Sequence, residues 1–405
     1  MEPIELTLTH PAAGGGFVGR DDTGRVLFVR HGLPGERVKA VITEEHQRWA
    51  RADAIEILEA SPDRVKPPCH LAGAGKCGGC DYQHASLEAQ RRFKGQLIAE
   101  QLRRVAKIDL TVEVEPAFAD TDGLGNRTRV RFGVTEDGRL AMRRHGSHDL
   151  VEIRSCPLAV EAITALEPGR QEWPEGCEVE IVALEGSGEP SILITRNELS
   201  EDESETLGVV VDDSSARTEA TQVDGLSFAV SPGSFWQIHR KAPEILVAAV
   251  LDGLELSEGD QVLDLYCGAG LFTKAIAREV GESGLVVGLE TSAISATDAR
   301  RNTSDTPWVD ILTIEVGYEV IEEVGPGFSH VVLDPPRSGV DRGALESLCE
   351  ITALRRMVSV SCDPATFARD LRFLLDEGWE LESIRAFDLF EMTEHVEIVA
   401  VLERL

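Results

Sequence analysis

Cys362 lies in Ser359-Val360-Ser361-Cys362-Asp363-Pro364, directly after the apolar, β-branched run Met357 to Val360. A strand that ends in a tight turn delivers its last side chain to the carboxyl edge of a sheet, where open α/β sheets bind ligands. A thiolate held there is a nucleophile for carbon; the alternative reading of a lone cysteine is a small packing residue. Near the C-terminus, Thr393-Glu394-His395-Val396-Glu397-Ile398-Val399 reads as an alternating strand carrying three ionisable residues, for which a surface carboxylate is the ordinary alternative. Strand alternation puts His395 and Glu397 on one face and turns Glu394 away. The apolar neighbours of Glu397 imply burial, which raises a carboxyl pKa toward the range of a general base.

Two further motifs surround this pair. In Val262-Leu263-Asp264-Leu265-Tyr266-Cys267-Gly268-Ala269-Gly270 an apolar strand runs into a glycine turn, and a helical pattern follows from Phe272 to Val280. Glycines let the backbone approach a ligand closely at a helix N-terminus. A second strand, Gly284 to Leu289, ends in Glu290, 20 residues after Gly270. An acid at that spacing can hold the two hydroxyls of a ribose. The dinucleotide fingerprint wants a third glycine where this chain has Thr273. D-x-x-x-G-x-G with an acidic second strand is instead similar to the S-adenosylmethionine site of class I methyltransferases. The second motif is Val331-Val332-Leu333-Asp334-Pro335-Pro336-Arg337-Ser338-Gly339, a buried strand delivering Asp334 to a loop fixed by two prolines.

Together Asp264–Gly270, D-P-P-R-S-G, S-C-D-P-A-T-F-A-R-D-L and Glu394-His395-Val396-Glu397 resemble the RNA uridine-C5 methyltransferases, the TrmA/RumA type. Ser234-Phe235-Trp236-Gln237-Ile238-His239 is similar to that family's F-x-Q-x-N motif, with His239 in place of asparagine. The resemblance implies S-adenosylmethionine as cofactor, Cys362 as the nucleophile toward carbon 6 of uracil and Glu397 as the base that removes the carbon 5 proton. It implies cofactor or base contacts for Gln237, Tyr266, Gly268, Gly270, Glu290 and Asp334.

Cys69, Cys77 and Cys80 cluster among prolines and glycines, and Cys156 follows in Arg154-Ser155-Cys156-Pro157. Four such thiolates read as a tetrahedral metal site, for zinc or for an iron–sulfur cluster. The family resemblance favours 4Fe–4S, with zinc as the second candidate. Cys177, Cys267 and Cys349 read as packing residues.

The elements that must position these groups fall into three expected units. Residues 1–60 show short glycine-punctuated alternating runs, expected as a five-stranded barrel. Their G-x-x-x-F-V pattern resembles a TRAM domain, an OB-like RNA-binding module. Residues 61–224 form the expected central domain with the cysteine loop. Its helix over about Leu87 to Ala106 has Phe93, Leu97, Ile98 and Leu102 on one face and is expected to pack on the catalytic domain. Acidic 197–206 reads as poorly structured. Residues 225–405 alternate strand and helix, which predicts a Rossmann-like doubly wound sheet, so the fold class is α/β.

The chain of 405 residues carries a net charge of −31, yet the charge is uneven. Residues 171–225 hold 15 acids and 2 bases, whereas residues 91–145 hold 12 bases and 8 acids. Arg127, Arg129 and Arg131 alternate, which predicts three guanidinium groups on one strand face, facing RNA phosphates or nearby acids. No apolar run reaches the roughly 20 residues that span a bilayer, and a cytoplasmic location with no membrane and no obligate protein partner is expected. The expected substrate is RNA, ribosomal (23S) before transfer RNA, with the target uridine unpaired or flipped out. A methyltransferase acting on an amino group, or a non-catalytic RNA-binding or RNA-folding protein, would need neither Cys362 nor Glu397.

Overall fold

The computed structural model describes residues 2–199, 206–212, 217–318, 321 and 324–404. Six strands lie between Ile4 and Glu59, where the sequence suggested five; the sixth is the two-residue strand Pro11–Ala12. Alternation builds their core, with Leu27 and Val29 inward from one strand and Val38, Ala40 and Ile42 from another. Backbone bonds Thr9 N to Val18 O (2.8 Å) and Val18 N to His10 O (2.9 Å) bring the first strand back onto the third. The strands end at Glu59, but the core beneath them takes in Tyr82, Ala85, Ala89 and Phe93 from the chain that follows.

A second, antiparallel six-stranded sheet spans Arg129 to Asp212. The segment expected to be poorly structured is partly strand: Ser191–Leu199 pairs with Thr206–Asp212, Asn197 opposite Gly208 and Leu199 opposite Thr206. A ladder of backbone bonds does not depend on side-chain charge. Residues 200–205 lie outside the described residues.

The catalytic sheet has eight strands: β1 (Val114–Pro116), β2 (Gln261–Leu265), β3 (Leu285–Glu290), β4 (Val309–Thr313), β5 (His330–Leu333), β6 (Arg356–Ser361), β7 (Glu380–Asp388) and β8 (Glu397–Glu403). Their order is β4-β3-β2-β5-β6-β8-β7-β1. The five strands from β4 to β6 in that order are parallel, and β8 runs antiparallel to both β6 and β7. Helices cover both faces, as a doubly wound sheet requires. One core layer holds Leu246 and Val250 of α2 (Ala242–Leu254) and Ile276 of α3 (Leu271–Val280).

The opposite layer begins far upstream of Gly225. Helix α1 (Leu87–Gln101), capped by the Ser86 hydroxyl and extended as one wide turn to Ala106, places Ile98, Leu102 and Ala106 in the catalytic core. β1 then pairs parallel to β7, Val114 opposite Ala386. The expected division at residue 224 is therefore crossed twice. A strand edge with free N–H and C=O groups wants a partner, and β1 supplies it from the earlier chain. The division also falls inside a hairpin, Glu219–Val223 with Leu226–Val230. Its turn residues Asp224 and Gly225 both have positive φ, the Asp-Gly signature of a tight hairpin. Among the described residues no helix is long and apolar enough to cross a membrane.

The α1 contact contains a wholly buried ion pair. Lys94 Nζ donates to Asp388 Oδ1 at 2.5 Å and to Phe390 O at 3.0 Å, with neither charged side chain exposed. Removing one partner strands the other charge without water, which costs about 3–5 kcal/mol. Lys94→Ala is expected to lower unfolding free energy by that amount in urea titrations. Lys94→Met with Asp388→Leu should recover most of it.

Candidate active site

The glycine turn owes its shape to three positive φ angles: Tyr266 (+69°), Gly268 (+56°) and Gly270 (+85°). A Cβ on Gly270 would lie 3.2 Å from the Cα of Ala299, so a close approach to the helix Ala293–Asn302 (α4) also excludes a side chain there. At Gly268 an added Cβ would meet only the Phe235 ring, at 3.9 Å, and its N–H donates to Glu290 Oε2 at 2.9 Å. The other Glu290 oxygen accepts from Ser292 N at 2.6 Å. Beneath the turn, Asp264 is fully buried; its Oδ2 accepts from Thr273 Oγ1 at 2.5 Å. Burial first, and Glu290 as well, push its pKa up to about 7.

Tyr266, Gly268, Glu290, Asp334, Cys362 and Glu397 line one continuous cavity of about 1080 Å³ at the carboxyl ends of the strands. Asp334 follows β5 at the cavity floor, partly open to it, and its depth and the nearby Asp264 push its pKa up to about 7. Gln237 is buried beside it, Nε2 at 3.5 Å from Asp334 Oδ2. His239 is buried outside the cavity lining; its Nδ1 accepts from Lys241 N and its Nε2 lies 3.5 Å from Glu391.

Cross-strand register brings the cysteine and the glutamate together. β6 and β8 pair with Arg356 opposite Glu403 and Ser361 opposite Ile398, so the next position of each chain sets Cys362 facing Glu397. Directly opposed residues of an antiparallel pair have Cβ atoms about 4.5–5.5 Å apart. Asp363 then caps the helix Pro364–Asp376, accepting from Ala365 N and Thr366 N, so Cys362 stands in the turn just after the strand's last residue, Ser361. The strand of Glu397 is shorter than its alternation suggested. Glu394 and His395 sit in the preceding loop, although His395 lines the cavity as expected and Glu394 does not.

Burial first, and then Glu397, push the Cys362 thiol up to about 11, against the opposing pull of Arg337. The Glu397 carboxyl, 3 % exposed, is raised well above its ordinary range by burial and by Asp334, again against Arg337. Arg337 therefore acts on both groups, and its Nη2 lies 3.2 Å from His395 Nε2. The sequence reading assigned no role to Arg337, although it stands in the D-P-P-R run. It also passed over Phe235, 55 % exposed and packed near Gly268 at the cavity mouth.

The alternating arginines do not form a phosphate-facing row. Arg129 Nη2 donates to Ser234 O at 2.7 Å, and Thr128 Oγ1 to Ile238 O at 2.8 Å; together they hold the segment that carries Gln237. Arg131 pairs with Glu180 at 3.2 Å. A more basic surface lies elsewhere. A second cavity, of about 640 Å³, is lined from the barrel by Arg20, Arg30, Arg51 and Trp49 and from beyond it by Lys76 and Arg144.

Cys69, Cys77 and Cys80, on the loop after the barrel, meet Cys156 from the following sheet's outgoing turn. The Cys77 thiol feels Cys156 and Cys69, and that of Cys80 feels Cys156 and Cys77, though burial is the larger cause of the raised pKa in both. Gln83 joins the loop ends, donating to Cys80 Sγ at 3.1 Å and accepting from Cys69 N at 3.1 Å. Among the described residues no three His, Cys, Asp or Glu side chains are gathered tightly enough to hold a metal ion. Cys177 and Cys267 are buried, and Cys349 is half-buried.

Comparison with known proteins decides the class. The family described as tRNA (Uracil-5-)-methyltransferase matches residues 320–405, and the TRAM domain matches residues 3–55. The family of protein-L-isoaspartate(D-aspartate) O-methyltransferases matches residues 237–325, the half that bears the glycine turn. An uncharacterized RNA methyltransferase of Streptomyces coelicolor is 42% identical over 433 residues, covering 99% of this chain and 93% of that one. The 23S rRNA (uracil(1939)-C(5))-methyltransferase RlmD of Cronobacter sakazakii is 32% identical, covering 94% and 92%. The chain belongs to the S-adenosylmethionine-dependent RNA uracil-C5 methyltransferases. In fold the methyltransferase is similar to the tRNA (uracil-54, C5)-methyltransferase of Pyrococcus abyssi, solved with S-adenosyl-L-homocysteine, at a TM-score of 0.73 and 23% identity over 98% of this chain and 99% of that one.

Arg337 is the cation that favours the Cys362 thiolate, so Arg337→Ala is expected to raise the thiol's pKa and Arg337→Lys to restore part of it. Alkylation of Cys362 by iodoacetamide, with Cys362→Ala as background, should slow by about 3–10-fold at pH 8 in Arg337→Ala. Its pH profile should move to higher pH. An unmoved profile would show that the guanidinium does not act on the thiol.

Proposed function

We propose that this methyltransferase modifies carbon 5 of one uridine in 23S ribosomal RNA through a covalent bond from Cys362 to carbon 6. The observation that carries the reading is the β6–β8 register, which sets a thiol against a buried carboxyl in the same cavity as the glycine turn and Glu290. Carbon 5 of uracil is a weak nucleophile. Addition of the Cys362 thiolate to carbon 6 turns the ring into an enolate whose carbon 5 can attack. S-adenosylmethionine supplies an electrophilic methyl group. The Glu397 carboxylate then takes the proton from carbon 5, the carbon 6–sulfur bond breaks, and the electron pair returns to Cys362. Burial beside Asp334 makes Glu397 a stronger base once it is ionised.

The Gly268–Gly270 turn and Glu290 are suited to hold the adenosine, with the Glu290 carboxylate exchanging its backbone partners for ribose hydroxyls. Tyr266 lies beside them, and Gln237 with Asp334 is placed to meet the methyl-donor end or the uracil edge. A base inside a helix hides its carbon 6, so the target uridine is presented flipped out. The basic cavity beside Trp49 is suited to phosphates and a stacked base of the flanking strand.

Ribosomal RNA is favoured by the relative named for 23S rRNA, which aligns along nearly the whole chain. Transfer RNA is the second reading, favoured by the substrate named for the Pyrococcus protein of similar fold. A cytoplasmic location is part of the same reading for either substrate. Mapping 5-methyluridine in ribosomal and transfer RNA from cells with and without this gene separates the two. Loss from transfer RNA alone would overturn the ribosomal assignment. In vitro, Cys362→Ala should abolish methylation yet leave S-adenosylmethionine affinity within about twofold, a difference under 0.5 kcal/mol. Glu397→Gln should still add and methylate but stall before elimination, leaving an RNA–protein adduct stable on denaturing gels. Adduct attached to Cys267 or Cys349 would show the nucleophile to be misassigned.

We also propose that Cys69, Cys77, Cys80 and Cys156 hold a 4Fe–4S cluster, a reading supported by their spacing among glycines and prolines in the sequence. Its part is structural, tying the loop after the barrel to the following sheet. Protein purified without oxygen should contain iron and acid-labile sulfide. Stoichiometric zinc with neither would overturn the cluster.

A further inference from the structure

The chain that leads from β7 into β8 brings Phe390, His395 and then Glu397 to the cavity. Glu397 itself pairs with Phe387 of β7, but the loop before it is held from outside the sheet. Met392 has a φ of +66°, uncommon for a residue with a side chain, and is gripped from two elements. Its N–H donates to Gln90 Oε1 on α1 at 2.8 Å, and its carbonyl accepts from both Asp81 N and Tyr82 N at 2.9 Å. Two residues on, Glu394 Oε2 accepts from Gly14 N at 2.6 Å and Gly15 N at 2.7 Å, from the barrel some 380 residues away in sequence. Gly14 (φ +89°) and Gly15 (φ +71°) are successive left-handed residues, and they turn adjacent N–H groups onto one oxygen, as an anion-binding concavity of backbone amides does. Glycine is demanded twice at position 15, because a Cβ there would lie 2.6 Å from Asp81 Cγ. Asp81 in turn accepts from Arg30 of the barrel at 2.9 Å and from Glu394 N at 3.3 Å.

We infer that Glu394 is a positioning residue for the reaction: clamped by the Gly14 and Gly15 amides, it fixes the entry of β8 and with it Glu397, so the barrel is a structural part of the catalytic centre. The inference rests on Glu397 being the base of the elimination step. Cys362 is held from its own side of the site, by β6 and the Asp363 cap. Loosening the clamp therefore slows proton removal and spares addition and methyl transfer. Misplacing a reacting group by about 1 Å costs on the order of 100-fold in rate.

The test uses the full-length protein with its RNA substrate and S-adenosylmethionine. Glu394→Ala should methylate one equivalent of RNA at the wild-type rate, then turn over about 10–100-fold more slowly while a gel-stable adduct builds up. Glu394→Gln should recover most of the turnover, because its amide oxygen can accept both N–H groups. Gly15→Ala, made on the barrel side, should reproduce the adduct and serves if Glu394→Ala does not fold. S-adenosylmethionine affinity should stay unchanged in all three. Wild-type turnover in Glu394→Ala, or a slowed first turnover without adduct, overturns the inference. Glu397→Gln on the same gel separates the causes: if it traps no adduct, the assignment of the base has failed; if it does and the clamp variants do not, the clamp has no part in positioning.

Discussion

The antiparallel pairing of β6 with β8 is the constraint on which the proposed chemistry depends. Strand side chains alternate, so a slip of one residue would turn Glu397 to the opposite face of the sheet and leave Cys362 facing Val396 or Ile398. The register is held because both strands are buried: Met357, Val358 and Val360 on one, Ile398, Ala400 and Leu402 on the other. The same pairing lets two elements from the end of the chain, one ending in a thiol and one beginning with a carboxyl, meet at the sheet's ligand edge. Catalytic geometry and core packing are here one requirement.

A second constraint is electrostatic. Asp264, Asp334 and Glu397 all lie deep in the molecule with their pKa values raised, and burial is the first cause in each. Such carboxyl groups resist ionisation, so the cleft concentrates protons as well as acids. Arg337 opposes the rise at Cys362 and Glu397, and His395 beside it is pushed down to about 4, so that imidazole stays neutral and adds no second cation. At Cys362 and Glu397 the depth of the site thus favours the protonated form and one guanidinium favours its loss. This balance answers to access of solvent, and RNA closing the cavity would alter it.

Local chemistry was legible in the sequence. The glycine turn, the strand ending at Cys362 and the acid at Glu290 each follow from neighbours in the chain: glycine where φ is positive, an Asp-Pro cap after the cysteine, an apolar run before the acid. What was not legible depends on partners far away. Arg129 reads as a phosphate ligand because alternation shows which face it shares but not that Ser234 waits there. The cut at residue 225 fails because Asp224-Gly225 marks a hairpin turn as readily as a boundary. Glu394 reads as an outward residue of a strand, and only the folded chain reveals the two glycine amides that receive it. The four cysteines were grouped from spacing and resemblance, and their convergence is a property of the loop and sheet that carry them.

β1 and α1 belong to the catalytic core yet precede the central sheet in the chain. The units are thus interlocked, not strung in a row. A fragment beginning near Gly225 would strip Ala386–Asp388 of β7 of its strand partner and uncover the apolar face beneath α1, a template for association with other copies. The catalytic fold is therefore not a portable module. Its closure waits for the last strands to return to a helix and a strand made hundreds of residues earlier, from Leu87 onward.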